Sequence, residues 1–161
     1  MDTKVILSEV ESILKSKTVL SEKLRQICTY LKETIDHYDW VGFYFANHEK
    51  KTLHLGPYDG EETDHTVIPF GKGICGQVAE SNETFLVEDV HAQDNYIACS
   101  IHVKSEIVVP LFVDGKNIGQ IDIDSNTSNA FTTEDQKLLT DINLLIAEEI
   151  KENTTVVDQF L

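Results

Sequence analysis

Apolar residues recur at helical spacing near both ends of the chain. Residues 4–15 show this pattern once, and a second helix is expected to begin at Ser21, a good N-cap residue. Its stripe comprises Leu24, Ile27, Cys28, Leu31 and Ile35. A last helix over residues 132–151 is predicted by a capping box of Thr133 and Gln136. Its stripe comprises Leu138, Leu139, Ile142, Leu145, Ile146 and Ile150.

Between these ends the pattern changes to that of strands. Aromatic and branched residues at 40–45 and the apolar positions at 52–55 predict a hairpin. Residues 56–64 read as a mobile acidic loop, and 66–69 as a short extended piece. A short helix at 74–80 and a strand at 84–87 follow. Strands at 106–113 and 117–123 are joined by Asp114-Gly115-Lys116, a strong hairpin signal.

Strands joined by hairpins, with helices gathered at the two ends, predict the α+β class. We expect an antiparallel central sheet with the terminal helices on one face and ligand-covering loops on the other. The expected single domain divides into N-terminal helices at 1–36, a sheet with its site loops at 39–125, and the C-terminal helix.

Composition narrows the function classes. The chain has 161 residues and a net charge of −15, which disfavours nucleic acid and anionic membrane surfaces as partners. No signal peptide or membrane span is visible in the sequence, so a cytoplasmic location is expected. Three cysteines in a reducing compartment indicate packed, catalytic or metal-binding thiols rather than structural disulfides.

Two of the cysteines are candidates for chemistry. Cys75 follows two glycines at the start of a helix, where the helix dipole favours a thiolate, although burial in a short amphipathic helix explains it equally well. Cys99 lies in a polar loop with acids nearby. An incidental exposed thiol is its alternative reading. Cys28 lies within a helical stripe and is interpreted as packing.

The acids of the predicted last strand form a second candidate feature. Strand alternation places Asp122 and Asp124 on one face and Ile121 and Ile123 on the other. With Glu106 they would form a crowded set of carboxyl groups, one of which tends to hold a proton at neutral pH. A solvated strand face is the commoner explanation of such a pattern, and both readings stay open at this point.

Two further patterns are weak. A zinc site from His65, Cys75, His91 and Cys99 lacks the close spacing of strong zinc motifs, so no metal is expected. Residues 71–76 match Gly-x-Gly-x-x-Gly literally but lack the surrounding βαβ unit. No cofactor is therefore expected.

Seven short segments together resemble a known family, the GAF domains, and more narrowly the free methionine-(R)-sulfoxide reductases. The segments are residues 39–44 (DWVGFY), 55–60 (LGPYDG), 68–76 (IPFGKGICG), 88–91 (EDVH), 96–99 (YIAC), 105–110 (SEIVVP) and 121–125 (IDIDS). As a set they are specific, because a generic GAF domain would share the fold without the cysteines.

The resemblance implies reduction of free L-methionine-(R)-sulfoxide to methionine. The residue matching Cys99 attacks the sulfoxide sulfur and becomes a sulfenic acid; a resolving thiol then forms a disulfide that thioredoxin reduces. Acids matching Glu106, Asp122 and Asp124 hydrogen-bond and protonate the sulfoxide oxygen. Trp40 and Tyr44 would enclose the methyl-sulfur end, with Ile74 and Ala98 also expected to bind substrate.

One departure concerns the resolving thiol. The family usually has a cysteine ten residues before the position of Cys75, and His65 stands there. Cys75 or an external thiol must therefore resolve the sulfenic acid, or turnover is lost and the chain is a non-catalytic GAF module that binds a small ligand in a signalling or regulatory role. The apolar stripes of the terminal helices further predict a homodimer, the alternative being that they pack fully within one chain.

Overall fold

The structure is a computed structural model that describes residues 1–97, 100–152 and 157–161. Its main elements are α1 (Thr3–Leu14), α2 (Leu20–Thr34), β1 (Trp40–Asn47), β2 (Thr52–Asp59), β3 (Val67–Pro69), α3 (Gly73–Ser81), β4 (Phe85–Val87), β5 (Ser105–Val113), β6 (Lys116–Ser125) and α4 (Thr133–Glu152). Short 3-10 turns lie at Val90–Ala92 and Val157–Phe160. None of the helices in these ranges has the length and apolar content that crossing a membrane requires.

The strands form one sheet in the order β3-β2-β1-β6-β5-β4. Every neighbouring pair is antiparallel. The predicted turn between β5 and β6 is confirmed, with Asp114 at φ 50° and Gly115 at φ 77°. These two left-handed residues are the geometry that a tight hairpin requires.

The two faces of the sheet bury different sets of side chains. One face packs Val41, Phe43, Ile107, Ile121 and Ile123 against α2 and α4, and α1 packs on these two helices. The opposite face carries Trp40, Tyr44 and Val108 and is covered by α3 and the adjoining loops. Strand alternation produces this division, so the α+β class and the two-sided arrangement are confirmed.

Three local predictions were wrong. The N-cap position of α2 is Val19 and makes no side-chain cap bond, so Ser21 lies inside the helix. Thr132, not Thr133, begins the capping interaction of α4. Its backbone N–H donates to Asp135 Oδ2 and its hydroxyl accepts from Glu134 N, a capping box one residue earlier than expected.

The third correction concerns β2, which extends to Asp59 into the predicted loop. Pairing with β1 continues after an irregularity between Gly42 and Tyr44 and joins Gly42 to Tyr58 and Val41 to Asp59. Gly56 and Pro57 concealed this, since both are depleted in strands. The loop before β3 is correspondingly shorter.

The terminal helices leave fewer apolar residues exposed for a homodimer interface than the sequence indicated. Of the predicted α4 stripe, Leu138, Leu139, Ile142, Ile146 and Ile150 are buried within the chain. Leu144, outside that stripe, is the exposed apolar residue of the helix. The assembly state stays a prediction.

Candidate active site

Three acidic side chains meet on the face of the sheet that α3 covers. Glu106 on β5 is paired directly with Asp124 on β6, and Asp122 lies two residues away on the same face. The exposed fractions of Glu106, Asp122 and Asp124 are 4%, 1% and 1%. The solvated strand face considered from the sequence is therefore wrong, and the crowded set of buried carboxyl groups is confirmed.

Burial raises the pKa of all three carboxyl groups. For Glu106 the pKa is raised well above its ordinary value, first by burial and then by the negative charges of Asp122 and Asp124. Burial raises the pKa of Asp122 to about 6, against the opposing effect of hydrogen bonds with Glu106 and Cys75. The pKa of Asp124 is raised well above its ordinary value by burial and by its acidic neighbours. The set therefore retains protons near neutral pH.

Cys75 is brought to these acids by the turn that starts α3. Gly71 and Gly73 adopt φ values of 83° and 62°, which glycine tolerates without steric cost. A Cβ at Gly76 would lie 2.6 Å from the carbonyl oxygen of Pro69. This tight turn directs the Cys75 side chain inward, where Sγ lies 3.2 Å from Asp122 Oδ2 and 3.9 Å from Glu106 Oε1.

Cys99 and Ala98 lie outside the described residues. The segment just before them contacts the start of α3. Asn95 accepts a hydrogen bond from Gly73 N at 3.2 Å and donates one to the Gly71 carbonyl at 2.7 Å. Ile97 packs over Gly73, where a Cβ would come within 3.0 Å of its side chain. These contacts fix residues 95–97 beside Cys75.

The two predicted aromatic residues are held from both strands and loops. Trp40 stacks on Tyr58 with ring centroids 5.3 Å apart. Its indole N–H donates to the Glu61 carbonyl at 3.0 Å. The Tyr44 hydroxyl donates to the His65 carbonyl at 2.9 Å. The loop between β2 and β3 is thus tied to the sheet at two points.

The predicted site residues divide between two neighbouring cavities. Tyr44, Ile74, Cys75, Glu106 and Asp122 line the first, together with Ile97 and others. Trp40 and Asp124 line the second, which has a volume of about 250 Å³. The first cavity holds only about 10 Å³ of free space, roughly the room that one water molecule needs.

Two residues important to the geometry were missed from the sequence. Gln120 is 0% exposed and donates from Nε2 to the Cys75 carbonyl at 3.1 Å. Its signal was present, because it continues the alternation of Asp122 and Asp124 by one step. Asn95 had no such signal, since it lies in a polar loop whose course depends on tertiary contacts.

Side chains that could hold a cation also differ from the predicted set. Within the described ranges, one group of side chains brings three ligand atoms within 4.8 Å of one another, one atom each from Cys75, Glu106 and Asp122. Neither His65 nor His91 belongs to this group.

Comparison with known proteins agrees with this geometry. A profile of the GAF domain matches residues 18–149. The chain is 36% identical over 129 residues to the free methionine-R-sulfoxide reductase of Escherichia coli, covering 80% of this chain and 76% of that protein. It is 37% identical over 139 residues to protein YtsP of Bacillus subtilis, covering 86% and 85% of the two chains.

A solved structure is similar over nearly the whole length. The free methionine-R-sulfoxide reductase of Neisseria meningitidis, in complex with its substrate, superposes with a TM-score of 0.88 at 35% identity. The alignment covers 95% of this chain and 90% of that one. The chain therefore belongs to the GAF domain family and, within it, to the free methionine-R-sulfoxide reductases.

Proposed function

We propose that this protein reduces free L-methionine-(R)-sulfoxide to L-methionine. The observation that carries the proposal is the contact of the Cys75 thiol with Asp122 and Glu106, all three of which are buried side chains. Sulfoxide reduction needs a thiol and a proton donor at the same place. The similarity to reductases named for this substrate supports the same choice.

The proposed reaction begins at Cys99. Its thiolate attacks the sulfoxide sulfur while a carboxyl group protonates the oxygen, and the oxygen passes to the cysteine as a sulfenic acid when methionine leaves. Cys75 then attacks the sulfenic sulfur, forming a disulfide and releasing water. A dithiol such as that of thioredoxin reduces the disulfide by exchange and becomes oxidised itself.

Each acid has a distinct proposed role. Glu106 has the carboxyl group most strongly biased towards the protonated form in the first cavity, because it is buried beside two other acids. It is the proposed proton donor to the sulfoxide oxygen. Asp122, with a pKa of about 6, accepts the Cys75 thiol proton. Asp124 and Trp40 would contact the substrate from the neighbouring cavity.

The small free volume of the first cavity favours a small substrate. With about 10 Å³ of free space, the site admits methionine sulfoxide only if covering side chains such as Ile97 and Tyr44 move. An oxidised peptide would require a much larger opening. We expect a preference for the free amino acid and for the R epimer, because the fixed proton donor selects the position of the oxygen.

Regeneration by thioredoxin, a cytoplasmic location and a homodimer are part of this proposal. His65 contributes its backbone carbonyl to Tyr44 and occupies the position at which the family usually has a resolving cysteine. Cys75 is the proposed resolving thiol because its side chain lies in the same cavity as the proposed proton donor. Cys28 is buried on the helical side of the sheet, with Sγ 3.6 Å from the Pro57 carbonyl.

The test is an assay of methionine formation with separated epimers. We expect turnover of free methionine-(R)-sulfoxide with dithiothreitol or with thioredoxin, and little turnover of the S epimer or of an oxidised peptide. Equal rates on the two epimers would contradict the proposed selectivity. Absence of methionine with every reductant, together with tight binding of the sulfoxide, would instead identify the non-catalytic binding module.

A further inference from the structure

The side chains that line the first cavity include atoms that can bind a metal ion. A thiol sulfur and two carboxyl oxygens converge there, from Cys75, Glu106 and Asp122. Zinc is bound in proteins by sulfur, nitrogen and carboxylate oxygen ligands, and borderline divalent cations share this preference. All three side chains are buried, so water competes little for the ion.

The distances between the donor atoms fit such an ion. Tetrahedral zinc with bonds of about 2.3 Å to sulfur and about 2.0–2.2 Å to oxygen requires sulfur–oxygen separations of about 3.5 Å. The two observed separations from Cys75 Sγ are 3.2 Å to Asp122 and 3.9 Å to Glu106. They lie on either side of the required value, so small side-chain rotations would complete the geometry.

An independent observation concerns the oxygen that the thiol does not contact. Asp122 Oδ1 is buried and has no hydrogen-bond partner among the described residues, on a side chain that is 1% exposed. A buried carboxylate oxygen without a donor is costly. A bound cation would satisfy it.

The size of the cavity distinguishes an ion from the organic substrate. Free space of about 10 Å³ accommodates a dehydrated ion with only small side-chain rotations, whereas methionine sulfoxide must displace whole side chains. The net charge of −15 also raises the local concentration of cations near the protein. In its free volume and its charge, the site therefore fits a small cation better than it fits the substrate.

We propose that Cys75, Glu106 and Asp122 bind one zinc ion or a similar borderline divalent cation, which excludes the sulfoxide and inhibits the protein reversibly. The ion occupies the positions needed by the resolving thiol and by the proton donor. The metal-binding part stands on the donor geometry alone. The inhibition part rests on the proposed function.

The binding part is tested with cobalt as a spectroscopic probe on the reduced full-length chain under nitrogen. We expect one Co²⁺ per chain, a sulfur-to-cobalt charge-transfer band in the near ultraviolet, and displacement by one equivalent of Zn²⁺. Cys75→Ser should abolish the band, and Glu106→Gln or Asp122→Asn should weaken cobalt binding at least tenfold. Cys28→Ala, which removes a thiol from the opposite face of the sheet, should leave the band unchanged.

A band that survives in Cys75→Ser would overturn the assignment. If that band is lost in Cys99→Ser, the thiol ligand is the other cysteine. Circular dichroism of each variant verifies that loss of the band does not reflect unfolding.

The inhibition part has a separate readout. Zinc should suppress methionine formation by the wild type, EDTA should restore it, and methionine-(R)-sulfoxide should weaken the cobalt band by competition. A band that saturating sulfoxide leaves unchanged would refute exclusion of the substrate. If metal-free wild type forms no methionine at all, the proposed function fails while the cobalt spectra still decide the metal site.

Discussion

Sγ of Cys75 lies 3.2 Å from Oδ2 of Asp122, a contact between residues 47 positions apart in the sequence. It joins the first turn of α3 to the middle of β6, so that a helix terminus and a buried strand carboxyl group form one chemical unit. Neither residue would be unusual alone. Together with Glu106 they place a thiol and two carboxyl groups at one point on the face of the sheet that α3 covers.

Turnover with different reductants should distinguish the role of Cys99 from that of Cys75. Cys99→Ser should abolish turnover with any reductant, because the attacking thiolate is lost. Cys75→Ser should lose thioredoxin-driven turnover but keep much of its dithiothreitol-driven rate, since a small thiol can resolve a sulfenic acid directly. Steady-state rates with both reductants measure this, with Cys28→Ala as the thiol control. Activity retained in Cys99→Ser would refute the proposed attack.

Glu106 should behave as the proton donor. Glu106→Gln removes the transferable proton at nearly constant shape and should slow methionine formation in a single turnover by about 10²- to 10⁴-fold, the usual range for general acid catalysis. The exposed Glu83→Gln serves as the matched control. If the single-turnover rates of Glu106→Gln and Glu83→Gln lie within about twofold of each other, another group donates the proton.

The buried acids should lower stability as the pH rises. Asp122 has its pKa raised from 3.8 to about 6 in the folded protein. The folded state therefore binds the proton more tightly than the unfolded state, and this stabilisation, complete below pH 3.8, is lost as the pH rises through about 6.

Asp122→Asn stays neutral throughout and should remove that dependence. Relative to the wild type, its free energy of unfolding should increase by about 2 kcal/mol between pH 4.5 and pH 8. Denaturant unfolding at several pH values measures the difference, with the exposed Asp94→Asn as control. Parallel pH profiles for Asp122→Asn and the wild type would show that Asp122 does not retain a raised pKa.

Several features were accessible from sequence because short-range physics determines them. The β5–β6 hairpin follows from Asp114-Gly115, whose backbone accepts the left-handed conformation. The shared face of Asp122 and Asp124 follows from strand alternation, and the resemblance supplied the family. Burial of those acids could not be read from alternation, because an alternating strand is equally consistent with a solvated face.

Other features depend on contacts between distant segments. The length of β2 is set by its pairing with β1 around Gly42, which local propensity does not reveal. The loop between β2 and β3 contributes to both cavities, with His65 lining the first and Glu61 the second, so local propensity could not reveal how the site residues divide between them. The role of Asn95 could not be predicted either, since only the folded structure brings this exposed loop residue against the backbone of Gly71 and Gly73.

Asn95 should position the segment that leads to Cys99. Asn95→Ala removes both hydrogen bonds to the glycine turn, so kcat/KM for the sulfoxide should fall about tenfold, equivalent to about 1.4 kcal/mol from two hydrogen bonds. Thermal stability should change little, because the side chain is exposed. The neighbouring Asp94→Ala is the matched control, and equal kcat/KM values for the two variants would argue against the positioning role.

The most direct test of the reductase account is one turnover without any reductant. Reduced wild-type protein mixed with excess free methionine-(R)-sulfoxide should release one methionine per chain. Peptide mass spectrometry should then find Cys75 and Cys99 joined by a disulfide. Release of no methionine, with both thiols still available for alkylation, would contradict the account.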